Sequence, residues 1–568
     1  MHVVFRESHG LEETETPTDL GQSPADLVVL SFSDSDLGAF AAGWHRAAGN
    51  LPALRLANLA ALKHPLSVDT YVEQTLSSAK GVLIRLIGGL SYWSYGIQQV
   101  SDLARRQGIA LAVLPGDGRP DPQLDAASTV PVSTLRRLAQ LCDTGGPVSA
   151  QAAPAQLALA AGLYAGPVRG AKVLPQVGVW IPEDGVICPI AAFPVAGTAP
   201  RALVVFYRAY LAAADTAPVA ALTEALRARG FAVTGLFAPS LKTPEAAGWL
   251  ARQVRALKPD AIVNATSFSG ISASGTSPLD AAGVPVFQVA LSTAPRDAWA
   301  GAERGLSPAD LAMHVVLPEV DGRLFAGVAS FKETAARDPA LEFARAAHRP
   351  DPDRIAAIAD RVARWVALGR KTAPERRAAL VLSTYPDKDW QSVHAVGLDA
   401  LASAEAIAET LAGDGWTIAP GAPLEQALSE TLAWPLADYL AELRRLPDPL
   451  RTRIEAAWGA PQDDPACRDG AFHFAATWRG NALVVLQPER GALGQRVDDY
   501  HDLSRVPRHG YVAFYLWLRR ALKVDALVHI GAHGTLEWLP GKAVALSDAC
   551  WPEALIGDLP VIYPFIVN

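Results

Sequence analysis

The chain has 568 residues, half of them apolar and 19% charged, enough to bury several cores and too apolar for a disordered protein. Its formal charge of −8 supplies no broad basic surface, so nucleic acid is not an expected partner. No unbroken apolar run reaches the ~20 residues of a membrane helix, and the four cysteines, Cys142, Cys188, Cys467 and Cys550, are too scattered for a disulfide framework or a Cys-x-x-Cys knuckle.

The amino terminus, MHVVFRESHGLEETETP, lacks the basic-then-apolar order of an export signal, so the cytoplasm is the expected compartment. From Leu27 to Ser31 the chain is apolar, and Asp34-Ser35-Asp36 then starts an Ala-rich amphipathic stretch reaching Trp44. Similar apolar runs, Gly81 to Ile87 and Ala110 to Leu114, flank a helical pattern from Tyr95 to Arg106. Such alternation predicts a mainly parallel sheet. An Ala/Gly/Pro-rich linker is expected around Gly145 to Pro175. Strands are then predicted from Ala202 to Tyr207, Ala232 to Phe237 and Ala261 to Asn264, with helices from Pro218 to Arg229 and Pro244 to Leu257.

From about Ala335 to Arg377 the pattern changes to charged, Ala-rich helices, read as an interdomain connector. Ala378 to Ser383 restarts as a strand, Ala400 to Leu411 reads as a helix, and Leu446 to Asp448 and Pro461 to Pro465 mark turns. The stretch from Ala482 to Ile530 carries strand, loop, helix and strand. The predicted fold class is α/β and multidomain, with several parallel-sheet α/β units joined by helical connectors. The expected boundaries are 1–145, 146–334, 335–377 and 378–568.

The densest chemistry lies in Asp525 to Lys542, DALVHIGAHGTLEWLPGK. An apolar run breaks at Gly531 into a loop that spaces His529, His533 and Glu537 four residues apart, with His529 at a strand end, where open α/β sheets hold ligands. Two imidazoles and a carboxylate can bind a borderline metal ion or accept protons from a weakly acidic N–H. Gly531 and Gly534 permit backbone geometry and ligand approach that a Cβ would hinder. They also argue against the continuous helix of a His-Glu-x-x-His protease. The competing plain reading is a core histidine with satisfied nitrogens and a glutamate that anchors the loop. Gly534 to Ala543 is no phosphate loop, because its spacing is wrong and Ala543 stands where Ser or Thr would hold Mg²⁺.

The words around this loop resemble one family. HIGAHGTLEWLPGK and the following LSDACWPEALIGDLPVIYPFIVN are similar to the large subunit of ATP-dependent cobaltochelatase and, less closely, to that of magnesium chelatase. Tyr500 to Tyr511 (YHDLSRVPRHGY), the AFYLWLR after it, GLDALAS at 397–403, PEVDG at 318–322, NAT at 264–266 and GGLSYW at 88–93 resemble family landmarks in the same order. The opening DLGQSPADLVVLS does so too, so the likeness spans essentially the whole chain. Two departures stand out. Family large subunits run much longer, which marks this chain as an amino-terminal portion, and Ala532 replaces the Lys of cobalt or the Thr of magnesium enzymes.

The resemblance implies Co²⁺ as substrate metal, inserted into hydrogenobyrinic acid a,c-diamide during aerobic cobalamin synthesis. It implies that Mg-ATP is used not by this chain but by an AAA+ ATPase subunit working with a third subunit. His529 and His533 would deliver the ion or take protons, with Glu537 as assisting base. Two alternatives are a magnesium chelatase acting on protoporphyrin IX and a non-catalytic tetrapyrrole-binding or assembly module. For the macrocycle, His501, Asp502, Arg505 and His509, with Arg508, are candidate contacts, since guanidinium groups bind carboxylates bidentately. Tyr92 and Trp93, near Tyr95, are candidate covers for a planar ligand. The plain readings are helix capping for the polar cluster and core packing for the aromatics.

Overall fold

The computed structural model describes residues 16–116, 120–164, 166, 173–187, 198–272, 275–383, 394–395, 398–491, 502–531 and 535–563. The chain divides into two units. The first comprises Met1–Arg227, Phe231–Arg296 and Ser307–Pro352, and the second Ala228–Gly230, Asp297–Leu306 and Asp353–Asn568.

The first unit holds two sheets. One has four parallel strands in the order Leu54–Asn58, Leu27–Ser31, Gly81–Leu86, Ala110–Pro115. Alternate residues along these strands feed opposite faces. Val28, Leu30, Val82 and Ile84 join Trp93 and Ile97 in one core, and Leu27, Val29, Leu54 and Leu83 join Leu37, Phe40 and Leu138 in the other. Burial on both faces explains why the strands read as unbroken apolar runs. The second sheet has eight strands in the order Ala346–Pro350, Leu324–Thr334, Val286–Ser292, Ala261–Asn264, Arg201–Tyr207, Ala232–Ala238, Gly178–Ile181, Gly185–Ile187. Its five central strands are parallel and its edges antiparallel. The α/β expectation holds.

Two stretches differ from their predicted elements. The expected linker begins with a helix, Gly146–Ala160, most of it buried. Alanine, the best helix former, outweighs the proline and glycine that read as breakers. This helix packs so closely on Asp34–Arg46 that a Cβ on Gly43 would come within 2.5 Å of the Ala150 carbonyl carbon. Gly43→Ala is therefore expected to cost about 1–3 kcal/mol, the usual penalty of overpacking, read as a lowered thermal midpoint. Within the expected connector, Pro352–Arg370 is helical, but Ala346–Pro350 is an antiparallel edge strand on Leu324–Thr334. There the inter-strand ladder overrides the local alanine propensity.

The second unit is built on a sheet ordered Thr431–Pro435, Ala471–Arg479, Ala482–Leu486, Ala378–Leu382, Ala526–Ile530, Val561–Ile562, with Cys467–Arg468 beside Ala471–Arg479. The last four are parallel. Against one face lies a core that includes Tyr439, Phe472, Phe474, Phe514, Trp517 and Trp551. Among the described residues no helix is long and apolar enough to cross a membrane.

Candidate functional site

The register of the parallel strands sets the site. Leu382 pairs with Leu486 on one side and Ile530 on the other, so three strands end level. The next residues are fastened across those ends: Ser383 N–H donates to the Ile530 carbonyl and Gln487 N–H to the Leu382 carbonyl, both at 2.9 Å. This places the buried polar groups Ser383, Gln487 and His529 together at the carboxyl edge, the usual ligand position of an open α/β sheet.

Above them runs the helix His509–Leu516, every residue of which is buried. Tyr511 and Tyr515, four residues apart, share a helix face and aim their phenols at the strand ends. Tyr515 OH lies 2.9 Å from His529 Nε2, while His529 Nδ1 faces Ser383 Oγ at 3.5 Å. Gln487 Nε2 lies 2.7 Å from Tyr515 OH, 2.7 Å from Thr535 Oγ1 and 3.2 Å from Tyr511 OH. Tyr511 OH also bonds Thr535 Oγ1. Burial pushes the His529 imidazole down to about 4 and the Tyr511 phenol up, so both are neutral near pH 7.

Glu537 is on the short turn Leu536–Trp538 and is exposed. Its Oε1 accepts from Tyr563 OH at 3.1 Å, and the Tyr563 ring meets His529 edge-on with centroids 5.7 Å apart. Tyr563 thus touches both predicted residues. Arg490, buried, binds the Trp538 carbonyl with one nitrogen and the Asp502 carbonyl at 3.0 Å with another, tying the turn to the 502–508 segment. Among the described residues no group of three or more His, Cys, Asp or Glu side chains is placed to hold a metal ion. His533, the third member of the predicted ligand set, lies outside the described residues.

A sequence profile described as CobN/Magnesium Chelatase matches residues 153–568. The chain belongs to this family. It is 37% identical over its whole length to an aerobic cobaltochelatase subunit CobN from Sinorhizobium sp. and 39% identical to one from Pseudomonas aeruginosa, covering 47% of each. The chain thus spans about half the length of these curated relatives. Similarity to a magnesium-chelatase subunit of Rhodobacter capsulatus is 28% over 69% of the chain, covering 35% of that protein. A solved structure, the catalytic subunit of cobaltochelatase from Mycobacterium tuberculosis, superposes with a TM-score of 0.74 at 30% identity, over 95% of this chain and 46% of that one.

The other predicted contacts of this chelatase-family chain fall in different surroundings. His509 is not at the strand ends. It is buried, with Nδ1 2.7 Å from Tyr439 OH and Nε2 3.1 Å from the Gly459 carbonyl. Asp502 closes a local turn by accepting from Ser504 N and Oγ, which holds its carboxyl below the usual range. Arg505 N–H donates to the Asp502 carbonyl at 3.3 Å, and its guanidinium lies beside Gly491. The buried Arg508 donates to the Glu489 carbonyl. His501 lies outside the described residues.

Tyr92 and Trp93 belong to the first unit. Trp93 is a core residue whose indole donates to the Leu62 carbonyl at 2.7 Å, whereas Tyr92 is exposed over Gly88. Sequence reasoning missed Gln487, Tyr515, Thr535, Arg490 and Tyr563. The available signals were a glutamine ending the apolar run ALVVLQ and two tyrosines at helical spacing after the polar cluster.

Proposed function

We propose that this chain is part of the macrocycle-handling large subunit of a cobaltochelatase, acting in the cytoplasm to insert Co²⁺ into hydrogenobyrinic acid a,c-diamide. The observation that carries this reading is similarity over the whole chain, at 37–39% identity, to relatives named aerobic cobaltochelatase subunits, against 28% over 69% for a magnesium-chelatase subunit. ATP hydrolysis is assigned to an AAA+ partner acting with a third subunit, in keeping with the lack of a phosphate loop at 534–543.

Insertion sets two tasks: the ion must shed water, and ring N–H groups must lose protons as metal–nitrogen bonds form. Glu537 suits the second. Its carboxylate is exposed at the carboxyl edge of the sheet, and the Tyr563 hydroxyl fixes one oxygen and leaves the other to meet a proton. His533, four residues earlier, is proposed to exchange for water on the incoming ion. His529, neutral and enclosed by hydroxyl groups, is proposed to support the loop from its strand and to take a proton or the ion only if Tyr515 swings away.

The test is Glu537→Gln in the full-length subunit with its partner subunits. Insertion is expected to fall by about 10²–10⁴-fold, the range for loss of a general base, with corrinoid affinity by absorbance titration unchanged. Unaltered insertion would remove Glu537 from the chemistry. Tight binding of protoporphyrin in place of the corrinoid, with Mg²⁺ insertion, would replace the cobalt reading by the magnesium one.

A further inference from the structure

We propose that Thr535 and Gln487 are positioning residues: through Tyr515 and Tyr511 they brace the two flanks of the glycine-histidine loop and so present Glu537. One flank is His529, the other Thr535, two residues before Glu537. Gln487 stands between them, its amide nitrogen 2.7 Å from both Tyr515 OH and Thr535 Oγ1. Tyr515 carries the link on to His529 Nε2 at 2.9 Å, and Tyr511 grips Thr535 from the helix above. Gln487, Tyr511, Tyr515, Thr535 and His529 are all buried, so no water competes for these bonds.

The directions of the bonds are mutually determined. With its amide nitrogen toward Tyr515, Gln487 donates, and the tyrosine oxygen accepts. The Tyr515 proton is then free to point at His529 Nε2, which leaves the imidazole proton on Nδ1 facing Ser383 Oγ. Every hydroxyl between strand end and turn is thereby oriented. The turn itself has little else: Trp538 N–H to the Thr535 carbonyl and Leu539 N–H to the Leu536 carbonyl, both at 3.2 Å. A carboxylate carried on so short a turn takes its position from Thr535, and a misplacement near 1 Å is enough to cost about 10²-fold in rate.

This proposal rests on the chelatase reading for its catalytic consequence but not for the brace itself, so two measurements are paired. Thr535→Val keeps the shape and removes the hydroxyl, and Thr535→Ser restores it. Hydrogen exchange of the Trp538 and Leu539 amides in the full chain is expected to quicken at least ~10-fold in Thr535→Val and to return to the original rate in Thr535→Ser. In the full-length subunit with its partners, the insertion kcat is expected to fall ~10–100-fold in Thr535→Val, with corrinoid Kd unchanged, and to recover in Thr535→Ser. Unchanged exchange in Thr535→Val overturns the brace. Faster exchange with undiminished insertion overturns the positioning role. An unsubstituted subunit that inserts no cobalt defeats the chelatase reading instead, and the exchange arm still decides the brace. If Thr535→Val fails to fold, Tyr511→Phe, which deletes one hydroxyl of the same network, replaces it in both assays.

Discussion

Replacing His509 by alanine is expected to cost the second unit about 2–4 kcal/mol, through two stranded polar partners and a small cavity, while leaving macrocycle affinity unchanged. A carbonyl can only accept, so His509 Nε2 carries the proton and donates to Gly459, and Nδ1 accepts from Tyr439 OH. Burial lowers the imidazole's affinity for a second proton, which keeps this arrangement near pH 7. Tyr439 is itself sealed among Trp434 and Phe472, with its ring edge-on to His509. Alanine leaves its hydroxyl facing hydrocarbon. Urea denaturation followed by near-ultraviolet circular dichroism measures the loss, and absorbance titration of the corrinoid on the full-length subunit measures affinity. Undiminished stability with weakened macrocycle binding would restore the contact role that the polar segment suggests in the sequence.

His509 also illustrates what the sequence can convey. A run such as Ala261–Asn264 is legible because both faces of its sheet are covered, which makes every residue apolar up to the closing asparagine. The helix Pro244–Leu257 is legible through its proline start and its period. Ala346–Pro350 is not, because an edge strand buries little and its identity comes from a partner strand rather than from its own pattern. At the site, His529 and Glu537 stand out as chemical residue types on a glycine loop. Gln487 and Thr535 are 48 residues apart, and no spacing rule joins them. Only the level ending of Leu486, Leu382 and Ile530 brings them together. The orientation of His509 depends on the phase of a helix and on a tyrosine 70 residues away, so its chemistry is visible in the chain and its direction is not.

Stability is expected to fall steeply as pH drops from about 6.5 to 4, before most carboxylates are protonated. His529 in the second unit is pushed down by burial to about 4, and His348 in the first to about 3, by burial aided by Lys332 and His314. In the unfolded chain both return to about 6.5. The sign follows directly. Above pH 6.5 the imidazoles are neutral in both states and stability is full. Below it the unfolded chain takes up protons that the folded one refuses, until the pH passes the folded value. For His529 this loss is on the order of 3 kcal/mol.

Carboxylates act lower on the scale. Glu342, held down by hydrogen bonds from Ser23, and Glu375, held down by Thr372, lose their contribution only as pH falls below about 4.5. The two windows are therefore separable. Urea midpoints measured at intervals from pH 7.5 to 4, with hydrogen exchange reporting each unit by its own peptides, should show the decline beginning near 6.5. His529→Gln should flatten it in the second unit alone, because glutamine has no proton to take up, while the first unit keeps the slope set by His348. A midpoint that stays level down to pH 4.5, or a slope in the second unit that survives His529→Gln, would show that the imidazole at the strand end is already open to water and able to accept a proton in the folded protein.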